Sequence, residues 1–293
     1  MESLWITVEA EACPVPLFDL PESPDYMLSN APLAQALAQV RFPLIASFET
    51  MAGIAPLQDA LRSRFPYMEQ QRVQELSFVV GPAGPAAGPA ADSVTWNLTN
   101  DDGLTAVIGA GTATLSAGTS YTGVEDFAAV FEELLAALLK VGVPRCDRLG
   151  VRYLSIAEDL PGEPCSWKRW FRGEVLGWAG SEIVPDDALV SSLTQTRLSH
   201  APVDDLAGPP ADVQAAIRHG SVPKDTAVPG IPPLQVEHPS FLLDLDVFVE
   251  GHQPFDVDSL LEGFQLFHTQ IDRFFYWSLT EEGKTHFGLE VRS

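Results

Sequence analysis

The chain has 293 residues, 46% of them hydrophobic, which is enough for one large core or two modest ones. Forty acidic residues stand against 17 basic ones, for a net charge of −23, while the charged fraction of 19% is too low for a disordered acidic tail. This charge repels phosphate backbones and anionic lipid surfaces, which excludes nucleic acid and membrane as general partners and leaves a protein partner as the expectation.

Residues 1–29 read as an N-terminal arm with one short strand, Leu4 to Val8. Asn30-Ala31-Pro32 then introduces Leu33 to Phe42, where helical and alternating patterns compete and periodicity alone does not decide. Ile54, Leu57, Leu61 and Phe65 recur at helical spacing within Met51 to Phe65, and Pro66 stops that helix. Leu76 to Val80 reads as a strand, and the Gly/Pro/Ala stretch 81–91 as a flexible loop. Ser93 to Thr99 and Leu104 to Ile108 flank Asn100-Asp101-Asp102-Gly103, which predicts a hairpin, and Thr112 to Ser116 adds a strand. Phe127, Phe131, Leu134, Leu135 and Leu138 predict an amphipathic helix over Val124 to Val141.

The segment Arg145 to Ile156 is the strongest strand near the midpoint, with Leu149, Val151 and Tyr153 on one face and Arg148, Gly150 and Arg152 on the other. Trp167, Trp170 and Phe171 form a core stripe at spacings i, i+3 and i+4. Leu189 to Leu198, Ala215 to Val222 and Phe241 to Val249 read as strands, and Asp256 to Ser278 as an aromatic-rich closing helix. Both halves run strand, helix, antiparallel strands, long helix, and Phe131 and Phe264 fall at matching offsets in the two long helices. The expectation is an α+β fold built as a pseudo-twofold duplication, with halves at 30–144 and 145–293 in one compact body.

Several short motifs also follow one another in a recognisable order. They are Asn30-Ala31-Pro32 before a segment ending Arg41-Phe42, Tyr121 with Glu125-Asp126-Phe127, Arg148-Leu149-Gly150-Val151-Arg152-Tyr153, Leu243-Asp244-Leu245-Asp246, Phe267-His268 and Leu279-Thr280. In this the chain resembles an uncharacterised, sporadically distributed bacterial family of about this length, over roughly residues 29–288. It departs from that pattern at Val124, where the family tends to have Trp, and at Ser155, where it tends to have Asn. The resemblance implies a fold of this size and no mechanism.

Two constellations carry chemistry. Asp244 and Asp246 project from one face of a strand and, with Glu250, offer hard-cation ligands or partners for Arg148 and Arg152. Whether these four side chains pair internally or bind a ligand or partner stays open. His268 and Asp272 lie one helical turn apart, as a general base and its orienting carboxylate would, although no nucleophile is marked. Gly109-Ala110-Gly111 lacks the lysine and helix of a phosphate loop and reads as a turn.

The histidines and the isolated Cys13, Cys146 and Cys165 lack metal-ligand spacing, so no metal and no cofactor is expected. The cysteine pattern suits reduced thiols, no basic residue precedes Arg41, and no apolar run is long enough to span a bilayer, which together predict a cytoplasmic protein. The reading is a non-enzymatic binding or adaptor module, chaperone-like or antitoxin-like, with oligomerisation possible. The rival is an enzyme or small-ligand binder whose cleft between the halves would hold His268, Asp244 and Asp246.

Overall fold

Pairing settles what periodicity left undecided at Leu33–Arg41. In the computed structural model, which describes residues 17–75, 78–81, 84–87, 91–199, 213–228, 230 and 233–292, this segment is a strand with a strand on either side. Ala36, Ala38 and Val40 enter the main core, while Gln35, Leu37, Gln39 and Arg41 take the other face. Backbone hydrogen bonds to two neighbours and a small-residue face against helices outweigh the helix propensity of its alanines and leucines.

In chain order, β1 is Tyr26–Leu28 and β2 is Leu33–Arg41; α1 is Met51–Leu61. Then come β3 Tyr67–Glu75, β4 Phe78–Gly81, β5 Gly84–Ala87, β6 Ala91–Thr99, β7 Leu104–Ile108 and β8 Thr112–Ala117, before α2 Val124–Lys140. The second part has β9 Arg145–Glu158, the single turn α3 Gly173–Leu176, β10 Ser192–Ser199 and β11 Gln214–Val222. It closes with β12 Ala227–Val228, β13 Leu234–Gln235, β14 Ser240–Pro254, α4 Val257–Ser278, α5 Glu281–His286 and β15 Leu289–Val291. Side-chain caps start three helices: Thr50 accepts from the Gly53 amide, Asp256 from Ser259 and Thr280 from Gly283.

The fold is α+β. A nine-stranded antiparallel sheet has the order β10-β11-β14-β9-β2-β8-β7-β6-β3. In each part the first strand pairs with the last one before the long helix, β2 with β8 and β9 with β14, and β2 and β9 join the parts. Helices α1, α2 and α4 lie on one side, over a core that contains Trp96, Phe131, Phe264 and Phe241. The matched Phe131 and Phe264 meet there, with ring centroids 5.6 Å apart, and Phe127 lies 6.1 Å from Phe264. On the opposite face a smaller cluster of Leu154, Val222, Val228, Val236 and Leu242 sits beside the β12–β13 hairpin.

Several elements depart from the sequence-based expectation. β3 is an edge strand whose polar sequence, YMEQQRVQE, gives little alternation to read. Within 81–91, expected as a loop, Gly84–Ala87 pairs with Phe78–Gly81 as a separate two-stranded sheet, and β6 begins at Ala91. The helix expected to reach Phe65 ends at Leu61, and Phe65 is buried from the following turn. The stretch expected as an arm is tied to the other end of the chain, because β1 pairs with β15 and Phe18 packs 5.0 Å from Phe274. The strand expected at Leu4 to Val8 lies outside the described residues. No helix among the described residues is long and apolar enough to cross a membrane.

Because Phe264 is fully buried between Phe127 and Phe131, Phe264→Ala should cost roughly 3–5 kcal/mol in denaturant unfolding. A change below about 1 kcal/mol would mean that α2 and α4 do not depend on this aromatic junction.

Candidate functional site

Strand β9 places different chemistry on its two faces. On one face register sets Arg152 opposite Asp246 and Arg148 opposite Glu250 on β14, yet each arginine reaches diagonally along the strand. Arg152 Nε and Nη2 donate to the two oxygens of Asp244 at 2.7 and 2.9 Å, and Arg148 Nη2 donates to both oxygens of Asp246 at 3.0 and 2.9 Å. Arg218 on β11 approaches Asp244 Oδ2 at 2.9 Å, so this carboxylate, 2% exposed, holds two guanidiniums. The fork geometry satisfies several lone pairs at once, which a withdrawn carboxylate requires.

Arg148 is held as tightly. Its guanidinium lies 4.4 Å from the centroid of Phe248, and Nη1 donates to Gln39 Oε1 at 3.3 Å. Gln39 in turn donates to Thr114 at 2.9 Å, which carries the network onto β2 and β8. The guanidinium crosses directly above Gly150, where a Cβ would collide with it, so glycine leaves the space that the arginine uses. Glu250 stands 3.8 Å from Arg148 and 3.9 Å from Arg197. Arg41, paired in register with Arg148, adds a fifth guanidinium to a face with three carboxylates, making it locally positive in an acidic chain. Burial pushes the Asp246 carboxyl above its usual range, against the pull of Arg148 and Arg152.

On the other face of β9, Tyr153 Oη lies 2.8 Å from Tyr121 Oη and 2.9 Å from His268 Nδ1. With the imidazole proton on Nε2, Tyr153 donates to His268 and accepts from Tyr121. Burial pushes the Tyr121 phenol up to about 12 and Tyr153 well above the ordinary range. It also lowers the pKa of His268, while Asp272 and Glu125 oppose that shift. The expected orientation of His268 by Asp272 gives way to Tyr153: Asp272 instead accepts from Ser23 at 2.8 Å and from Tyr26, both in the N-terminal segment. The result is a hydrogen-bonded chain of two phenols and an imidazole that burial holds in their neutral forms.

The predicted residues therefore fall on opposite faces of one sheet: Arg148, Arg152, Asp244 and Asp246 together on one, His268 and Asp272 on the other. A hollow of about 470 Å³ lies at the start of α2, lined by Arg64, Asp102, Ser120, Tyr121 and Asp126 among others. A second, of about 440 Å³, lies against Trp170, Glu281 and His286. Each hollow is built from one half of the chain, and neither is lined by His268, Asp244 or Asp246. Among the described residues no group of three His, Cys, Asp or Glu side chains stands ready for a metal ion. Gly109-Ala110-Gly111 is the β7–β8 turn, whose carbonyls accept from Phe42 and Ile45. The basic residues after β9 are distributed among acids, Lys168 to Asp186 and Arg169 to Glu163 and Glu282.

Sequence reasoning missed Arg218 and Gln39, whose part depends on strand order. It also missed four exposed apolar side chains between residues 178 and 193: Trp178, Ile183, Val190 and Leu193 are 65%, 78%, 76% and 60% exposed. The signal was present as large apolar residues in a Pro- and Asp-bearing loop with neither helical nor strand period. Comparison of the chain with protein-family models and with curated proteins gives no match.

Arg152→Ala should cost roughly 1–3 kcal/mol, and Asp244→Ala in the same chain should recover part of it, because the unpaired carboxylate is then gone. Denaturant unfolding of the four proteins of this cycle measures the coupling, and its absence would make the arginine a ligand-facing group. The depressed His268 sets a second expectation. The unfolded chain takes up a proton near the ordinary histidine value of about 6.5, while the folded one resists until lower pH. Stability should therefore fall as pH drops below that value, and His268→Gln should flatten the fall; His219 and His286, lowered in the same direction, contribute to it as well.

Proposed function

We propose that this protein is a non-enzymatic binding module that engages another protein, in a chaperone-like or antitoxin-like manner. The observation that carries this reading is the exposure of four large apolar side chains, Trp178, Ile183, Val190 and Leu193, in the segment that leads into β10 and at its start. Four large apolar side chains exposed within sixteen residues are what a contact surface retains and an ordinary loop discards. The charged groups closest to a catalytic arrangement are meanwhile occupied with one another, Arg152 with Asp244 and Arg148 with Asp246.

Two finer readings go with it. The matching order of strands around the β2–β9 junction, and the contact of Phe131 with Phe264, support an origin by duplication of one strand-helix-sheet-helix unit. The shared motif order supports membership of the sporadic bacterial family named above. The free thiols of Cys146 and Cys165 suit the cytoplasm.

A second reading rests on Tyr121, whose ring lines the 470 Å³ hollow while its hydroxyl meets Tyr153 and, through it, His268. A small polar ligand there would sense the phenol–imidazole chain. The two readings separate in one experiment. Purified from its own host at low salt, the chain should retain a protein in fixed stoichiometry by native mass spectrometry, and lose it as salt screens the charge of −23. Retention of a small molecule alone, released by Tyr121→Phe, would replace the binding-module reading with the second.

A further inference from the structure

His219 on β11 uses only one of its two ring nitrogens. It is 9% exposed, and its register partners Thr194 on β10 and Leu243 on β14 set it on the helix side of the sheet, where Leu243 joins the main core. There the imidazole lies beneath the segment that connects β9 to β10. It donates to the backbone carbonyl of Val175, and a Cβ at Gly177 would stand 3.8 Å from its Cε1. Nδ1 is buried and has no hydrogen-bond partner, so the donor is Nε2 and the ring is the neutral tautomer with a bare lone pair on Nδ1.

A second proton on this ring has nowhere to point. It would make Nδ1 a buried donor without an acceptor, on a charged ring held away from water. No carboxylate faces it from the elements packed against it: Arg218 on β11, Asp244 on β14 and Arg197 on β10 take the opposite face of the sheet. Glu174 on α3 is exposed, Arg172 before it lies over Trp277, and Gly177–Gly180 has no ionisable residue. Burial accordingly lowers the pKa of His219, against the bond to Val175.

The segment above the ring is built to move as a unit. α3 is a single turn, held by the amides of Val175 and Leu176 on the Arg172 carbonyl at 3.0 and 3.1 Å, and packing of Val175, Leu176 and Ala179 keeps it down. Arg172 is anchored, since its amide donates to the Ser278 carbonyl at 2.8 Å, whereas Gly177 turns the chain in the left-handed region with φ 54°.

We propose that His219 is a pH-sensitive latch: neutral, it holds Gly173–Gly180 on the sheet, and on taking a proton at Nδ1 it releases that segment and uncovers Val175, Leu176 and Ala179. The release enlarges the apolar surface that starts at Trp178, so it adds regulation to the binding-module reading and rests on that reading for its use. With the segment open, His219 titrates near the ordinary histidine value of about 6.5; with it closed, the ring resists until lower pH. Opening is thus linked to one proton and becomes up to about tenfold more favourable for each pH unit between those two values.

Amide hydrogen exchange of the full chain, followed from about pH 7.5 to about pH 5 with the intrinsic pH dependence of exchange removed, reads the latch at Val175 and Leu176. Their protection should fall by up to about tenfold per pH unit below about 6.5, while α2 keeps its own. His219→Gln, which cannot take up the proton, should abolish that fall, and His268→Gln should leave it in place. Protection that ignores pH, that falls only together with α2, or that falls equally in His219→Gln overturns the proposal. Where His219→Gln fails to fold, NMR titration of the imidazole in the unaltered chain decides: a midpoint at the ordinary value overturns the latch, and a lower one that tracks exchange at Val175 supports it. Native mass spectrometry at about pH 7.5 separates the two ideas. If a partner protein is retained while the two amides ignore pH, the latch fails and the binding-module reading stands; if the amides respond and no partner protein is retained, the latch stands and that reading falls.

Discussion

A carboxylate withdrawn almost wholly from water has to be answered by cations in the right place, and Asp244 is answered by two. Arg152 comes from the strand on one side of β14 and Arg218 from the strand on the other, so one buried acid ties together three neighbouring strands. Arg148 continues the tie through Asp246 and, by way of Gln39 and Thr114, across β2 to β8. A slip of one residue in any of these strands would turn its charges into the apolar core on the other side. The polar ladder thus specifies register, a role distinct from its net contribution to stability, which desolvation limits.

This constraint explains the division of labour around β9. Helices α2 and α4 cover the opposite face, and their aromatic rings meet at Phe127, Phe131 and Phe264 close to where Tyr153 reaches Tyr121 and His268. Gly263 on α4 sits so close to Leu149 of β9 that a Cβ would approach its methyl at 2.7 Å, which brings the helix down onto the strand. The Tyr121 and Tyr153 phenols and the His268 imidazole are then joined to each other, while Asp272 accepts from Ser23 and Tyr26 of the N-terminal segment. Both faces of the central strand are occupied by contacts within the fold.

The sequence by itself determined the strongly periodic elements: α2, α4, the β6–β7 hairpin, β9 and β14. It also determined that Arg148 and Arg152 share one face, as do Asp244 and Asp246, because alternation is a local property of extended backbone. Only the tertiary structure decided that these faces adjoin, since strand order depends on contacts between residues about a hundred positions apart. It alone made Leu33–Arg41 a central strand, where neighbours on both sides outweighed propensity, and recruited Arg218 from a strand with one charged residue. The same holds for His268, whose neighbour Asp272 one helical turn away was legible while its hydrogen-bond partner Tyr153 on β9 was not. Local spacing places side chains on faces; which face meets which is set by packing across the whole sheet.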